Sequence, residues 1–185
     1  MGVAVGDVGG HGIAAVATMA QLRNALRAYA FEGARPAEVL ARLDDYVVKS
    51  GVADLATVLY GTFDLRSHEL CWSHAGHPPP LLVPRAGPVE VLSVPGQRPV
   101  GFFDRVVPGI EHTVLVPDGA LLVLYTDGLI ERRGESLDDG IARLGQAAVT
   151  LAGRTVGTCR RLRDRCVPDD HEDDVCILTF AAATR

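Results

Sequence analysis

The sequence predicts an α+β fold built on antiparallel sheets, and three observations carry that expectation. Strand-length apolar runs in the middle of the chain are joined by short turns, as hairpin-connected strands are. Helical periodicity is gathered into two groups, one before residue 50 and one after residue 137. The steady strand–helix alternation of a doubly wound parallel sheet does not occur.

The elements follow in order. Residues 3–8 read as a short buried strand, and 9–12 as a tight turn. Residues 13–31 carry Val16, Met19, Ala20, Leu22, Leu26 and Tyr29 at helical spacing, with Gly33 closing the helix. Ala14, Ala15, Ala17, Ala25 and Ala28 would let this helix lie close on a sheet. Pro36 suits the first turn of a second helix, whose one face shows Val39, Leu40, Leu43, Tyr46 and Val47. From residue 56 the rhythm becomes that of strands: 57–64 and 69–74 around a break at 65–68, then 81–83 and 89–92 around 84–88. Residues 93–104 form a Gly/Pro-rich loop, and 111–116 and 120–126 flank the turn Pro117-Asp118-Gly119. Residues 137–151 return to helical spacing through Ile141, Leu144, Ala148 and Leu151. A further helix is expected over 155–167 and a last strand over 175–180.

Length and composition bound the function. The 185 residues suit one domain spanning 1–185, and 48% hydrophobic residues suffice for a core. Aromatics are only 5%, so that core must be built mostly from Ala, Val and Leu. A net charge of −5, and Lys49 as the sole lysine, weigh against nucleic acid as a partner. No apolar run has the length of a membrane helix, and the first residues lack the pattern of a secretion signal. Cys71, Cys159, Cys166 and Cys176 lack CxxC spacing, which predicts reduced, buried thiols and a cytoplasmic protein.

Three acidic positions share one placement. Asp7 ends a strand in Gly6-Asp7-Val8-Gly9-Gly10-His11-Gly12, and Asp127 ends another in Tyr125-Thr126-Asp127-Gly128-Leu129. Asp173 and Asp174 lead into the last strand. If these ends converge, they offer an all-oxygen cage of the kind that Mg²⁺ or Mn²⁺ takes. Taken singly, an Asp beside a Gly is a turn residue. His11 and His77 could donate a proton to a leaving oxygen, but a structural role in loop hydrogen bonding fits them better. Arg132 and Arg133 offer a guanidinium fork for phosphate, against the plainer reading of a solvated surface pair. His74 and His77 lack the further partners of a zinc site.

Five blocks stand in one order: Gly6 to Gly12, Ala56 to Asp64, Ala75-Gly76-His77-Pro78-Pro79-Pro80-Leu81, Tyr125-Thr126-Asp127-Gly128-Leu129-Ile130-Glu131, and Asp173-Asp174-Val175. In this the chain resembles the metal-dependent protein phosphatases related to phosphatase 2C, in the branch of the stage II sporulation phosphatase and the sigma-factor regulators. The resemblance implies an α-β-β-α sandwich of two antiparallel sheets flanked by helices. It implies two Mn²⁺ or Mg²⁺ ions, with Asp7 bridging them, the Val8 carbonyl as a further ligand, and Asp127 and Asp173 completing the protein's share. It also implies a metal-activated water as nucleophile and a phosphoserine or phosphothreonine substrate on an anti-sigma-factor antagonist. Relative to the family, strands that precede the one bearing Asp7 are expected to be missing, which makes the domain N-terminally truncated. A degenerate fold acting as a non-catalytic protein-binding module is the alternative, and a homodimer is among the assemblies left open. A glycine-loop nucleotide enzyme is the rival from pattern alone, but the G-x-G-x-x-G order is absent.

Overall fold

The computed structural model describes residues 1–53, 55–94, 98–102, 109–152, 156–168 and 173–181. The chain divides into two compact units, Met1–His77 with Pro95–Leu115, and Pro78–Val94 with Val116–Arg185. The described elements are α+β, with two four-stranded antiparallel sheets and four helices, as the sequence predicts. Among the described residues no helix is long and apolar enough to cross a membrane.

The first unit holds strands β1 (Gly2–Val8), β2 (Ala56–Phe63) and β3 (Glu69–Ala75), and helices α1 (Gly12–Phe31) and α2 (Pro36–Ser50). With β6 (His112–Leu115) the strands form a sheet in the order β1-β2-β3-β6, so β1 lies at its border. Period-2 alternation sorts the faces. Val8, Ala56, Val58 and Tyr60 join the core made with Leu26, Leu40 and Leu43 of the two helices. Asp7, Thr57 and Leu59 therefore point to the opposite face. Helix α2 is a clean amphipathic helix: Pro36 sits in its first turn, Val39, Leu40, Leu43 and Val47 are buried, and Gly51 caps it at φ 62°.

Helix α1 departs from expectation. Leu22 and Leu26 are buried, but Val16 is 70% exposed and Ile13 89% exposed. Ala14, Ala17 and Ala28 are exposed as well, Ala15 is half-buried, and of the five small residues Ala25 packs against the core. The apolar residues run around the whole helix, and only its middle and C-terminal part reaches the core.

The second unit holds β4 (Leu81–Val83), β5 (Glu90–Val91), β7 (Leu121–Tyr125), β8 (Ile177–Ala181), α3 (Leu137–Val149) and α4 (Thr158–Cys166). Its sheet runs β5-β4-β7-β8. Strand β7 is buried at all five positions, which explains its unbroken apolar run. Leu121, Val123 and Tyr125 pack with Leu144, Ala148 and Leu162 of the helices. Helix α3 starts with a capping box in which Ser136 accepts from the Asp139 N–H and Asp139 accepts from the Ser136 N–H. None of the four cysteines is in a disulfide, but only Cys166 is buried and Cys176 is exposed. The expectation of uniformly buried thiols fails at Cys176 because it precedes β8 rather than lying within it.

Candidate metal centre

In the first unit, Asp7 and Val8 are the last residues of β1 and pair with Thr57 and Ala56 of β2. Gly6 lets the strands approach: a Cβ there would stand 2.8 Å from the Thr57 carbonyl oxygen. The Gly9 N–H donates to the Leu55 carbonyl at 3.1 Å, which carries the pairing past Val8. Gly10 at φ 97° and Gly12 at φ 78° then turn the chain into α1. His11 is exposed at the N-cap of α1, where its side chain makes no capping bond.

His77 is buried at 3% exposure, and its Nδ1 lies 3.0 Å from the Thr57 hydroxyl. It reaches that position through Gly76, which adopts φ 69° with the Pro99 ring 2.6 Å from where a Cβ would stand. The structural reading of His77 is the one this geometry supports.

In the second unit, β7 runs into a 3-10 turn, Asp127–Leu129. The Asp127 carbonyl accepts from Ile130 and Glu131 N–H, both at 2.8 Å, and its Oδ1 accepts from Gly128 N–H at 3.0 Å. Buried Thr126 is the hub that joins this turn to the segment before β8. Its N–H donates to the Cys176 carbonyl at 3.1 Å, and its hydroxyl donates to the Asp174 carbonyl at 3.3 Å. The same hydroxyl accepts from the Cys176 N–H at 2.9 Å. Asp127, Asp173 and Asp174 are thereby brought to one end of the β7–β8 pair. Asp173 Oδ1 accepts from the Asp174 N–H at 2.9 Å.

The helices brace the Asp127 turn. Arg143 of α3 donates to the Ile130 carbonyl at 2.8 Å and pairs with Glu135. Gly140 lies so close that a Cβ would stand 2.2 Å from that same carbonyl oxygen. Arg132 donates through Nε at 3.2 Å and Nη2 at 2.6 Å to the Cys166 carbonyl at the end of α4. Nε and Nη2 of Arg132 are therefore spent on the backbone while its Nη1 stands 3.8 Å from a Glu135 carboxylate oxygen, and of the pair only Arg133 is exposed. Burial pushes the Cys166 thiol up, against the opposing pull of Arg143, Arg132 and Arg165. Burial likewise pushes the Tyr125 phenol far up.

Sequence reasoning missed Thr126, Gly140 and Arg143. Gly140 carried a signal, since a glycine inside a helical pattern costs helix stability that only packing can offset. Thr126 carried none, because its partners are main-chain atoms distant in sequence, and Arg143 carried none, because it is shared between the Ile130 carbonyl and the Glu135 carboxylate.

Among the described residues, no three His, Cys, Asp or Glu side chains gather into a metal-binding group. The sequence-derived set divides between the units: Asp7 and Val8 lie in the first, Asp127 and Asp173 in the second. The donor chemistry within each unit suits a hard cation. Carboxylate and carbonyl oxygens stand at strand ends, with no thiolate or imidazole in the set.

Comparison with solved structures places this architecture in a class. The PP2C phosphatase domain of SpoIIE from Bacillus subtilis aligns at a TM-score of 0.79 over 96% of this chain and 53% of that one, with 16% identity. The catalytic domain of the serine/threonine phosphatase PstP, solved in complex with 2 manganese ions, aligns at 0.63 over 96% of this chain and 85% of that one, with 14% identity. The fold is that of the PP2C phosphatases. Residues 1–182 match the family described as Stage II sporulation protein E (SpoIIE), and the chain belongs to that family.

The structure of the RsbU and RsbW domains of Rv1364c from Mycobacterium tuberculosis is similar at 33% identity and a TM-score of 0.75, over 87% of this chain and 45% of that one. Phosphoserine phosphatase RsbP of Bacillus subtilis (strain 168) is 27% identical over 135 residues, which is 70% of this chain and 33% of RsbP. The chain thus spans about a third of the length of that relative.

Proposed function

We propose that the chain is a metal-dependent serine/threonine protein phosphatase, with Asp7, the Val8 carbonyl, Asp127 and Asp173 holding two Mn²⁺ or Mg²⁺ ions. The observation that carries the reading is the Thr126 hub, which binds Asp174 and Cys176 and so brings the adjoining Asp173 to the same end of β7–β8 as Asp127. When bound, such ions lower the pKa of water and offset charge on a phosphoryl group. The chain's own residues do the holding. The 3-10 turn and the α3 brace keep the Asp127 carboxylate from drifting. The β1–β2 register does the same for Asp7. Placement of this kind matters because misplacing a catalytic group by about 1 Å can cost roughly a hundredfold in rate.

The proposed substrate is a phosphoserine or phosphothreonine on an anti-sigma-factor antagonist, in a cytoplasmic setting. The similarity to a phosphoserine phosphatase and to an RsbU domain supports it.

The test is hydrolysis of a generic aryl phosphate and of a phosphoserine peptide with and without Mn²⁺. Turnover that needs the ion and falls to background in Asp7→Ala and Asp127→Ala is expected. Wild-type-like turnover in either variant overturns the assignment. Capture of a phosphorylated antagonist with no turnover would favour the binding-module alternative.

A further inference from the structure

The His77–Thr57 contact is not absorbed by the ligand set. We infer that His77 and Thr57 are positioning residues for Asp7: the imidazole holds the threonine hydroxyl, and Thr57 in turn fixes the carboxylate directly across the strand pair. The inference deepens the proposed function and rests on its assignment of Asp7.

Three features of the first unit carry it. Asp7 and Thr57 are in-register partners, so their side chains share a face with Cβ atoms about 5 Å apart. That face is opposite the helices, because Val8 and Ala56, the next pair along, belong to the helix-facing core. The Thr57 hydroxyl is bound at 3.0 Å by Nδ1 of His77, which is buried and so held in one orientation.

The local sequence is built to make this contact. Strand β3 ends at Ala75, and Gly76 follows with a left-handed φ of 69°. The Pro99 ring occupies the place a side chain at residue 76 would need. A parallel bridge ties Gly76 to Val58, the neighbour of Thr57. The turn therefore delivers His77 to the residue facing Asp7, and Pro78 stiffens the chain beyond it. A histidine serving only to fill space would need neither the bond to Thr57 nor a glycine forced against proline. Groups that orient a metal ligand from behind are worth about 10- to 100-fold in metal affinity or activity.

The experiment uses the full 185-residue chain. Mn²⁺ affinity is measured by titration calorimetry, independently of turnover, alongside kcat, the Mn²⁺ activation constant and the thermal midpoint. Thr57→Val removes the hydroxyl at nearly constant volume, and Thr57→Ser restores it. Thr57→Val and His77→Gln should each weaken Mn²⁺ binding by about 10- to 100-fold. The double variant should be no weaker than the worse single one, because the two residues act in series. Thr57→Ser should recover most of the affinity. Should His77→Gln fail to fold, the Val/Ser pair at 57 still decides. Unchanged Mn²⁺ affinity in folded Thr57→Val overturns the inference, as does an equal loss in Thr57→Ser. Asp7→Ala separates the two levels. If it abolishes Mn²⁺ binding while Thr57→Val does not weaken it, only the positioning role fails. If Asp7→Ala still binds Mn²⁺ as the wild type does, the assignment of Asp7 fails and this inference with it.

Discussion

Asp7 and Asp127 both end a β-strand, yet the two ends are held by different means. Asp7 rides on a strand at the border of its sheet, located by pairing with β2 and by side chains on the face it shares with Thr57. Asp127 stands just beyond the central strand β7, in a turn gripped from several sides: Thr126 to the segment before β8, Arg143 and Gly140 to α3, and Arg132 to α4. An Asp beside a Gly at a strand end is thus fixed by sheet register in one place and by a net of side chain to main-chain bonds in another. Breaking register should shift a whole strand. Breaking one strand of the net should be partly absorbed by the rest.

The largest effect expected is that of Asp7→Ala or Asp127→Ala, which should reduce Mn²⁺-dependent hydrolysis to background with the thermal midpoint little changed. Next comes Gly140→Ala. The new methyl would stand 2.2 Å from the Ile130 carbonyl oxygen, and backbone cannot yield cheaply. A loss of about 1–3 kcal/mol in denaturant unfolding is expected, with weaker Mn²⁺ binding because the Asp127 turn must move. Gly6→Ala is the matching test at the other end, since its methyl would stand 2.8 Å from the Thr57 carbonyl. It should disturb the β1–β2 register and lower Mn²⁺ affinity more than its stability cost alone suggests. If Gly140→Ala leaves the Mn²⁺ titration unchanged while Gly6→Ala shifts it, the net around Asp127 is more forgiving than the contrast holds.

A smaller effect is expected at the start of α3. Ser136→Ala removes a cap and should cost about 1 kcal/mol. The bonds from the Ser136 side chain and backbone hold the Asp139 carboxyl below the usual carboxylate range. A carboxyl with a depressed folded-state pKa contributes stability that is present above its unfolded value and is lost as pH falls through the folded one. Wild type should therefore lose part of its advantage over Ser136→Ala as pH drops below about 4. A gap between the two that stays constant down to acid unfolding would deny the capping box its charge-dependent share. The smallest effect is expected for Ile13→Ser on α1, which should lie within about 0.5 kcal/mol of wild type because the side chain is 89% exposed.

Much of the fold was legible because it follows from periodicity. The apolar run of β7, the amphipathic face of α2 and the turn at Pro117-Asp118-Gly119 each announce themselves locally. In helix α1 the spacing picks out Met19, Leu22, Leu26 and Tyr29, which reach the core, but it does not exclude Val16, which is exposed, because apolar residues surround the helix on every side. At the site, the Asp residues were visible as strand ends. The groups that hold them were less so. Arg132 and Arg143 each spend part of their guanidinium on a carbonyl, of Cys166 and Ile130, and a carbonyl has no residue letter to betray it. Thr126 was hidden for the same reason, as an ordinary residue whose neighbours just before β8 lie 48 and 50 positions away.

The border position of β1 has a consequence for how this protein would behave in heavy water. Among the described residues β1 is laddered on one side, by β2, so in a chain of these 185 residues its amides should fall into two alternating sets. Those turned toward β2 should take up deuterium slowly, and those turned outward should do so quickly. The central strand β7 should show no such two-beat rhythm over Leu121 to Val123, where it is laddered on both sides by β4 and β8.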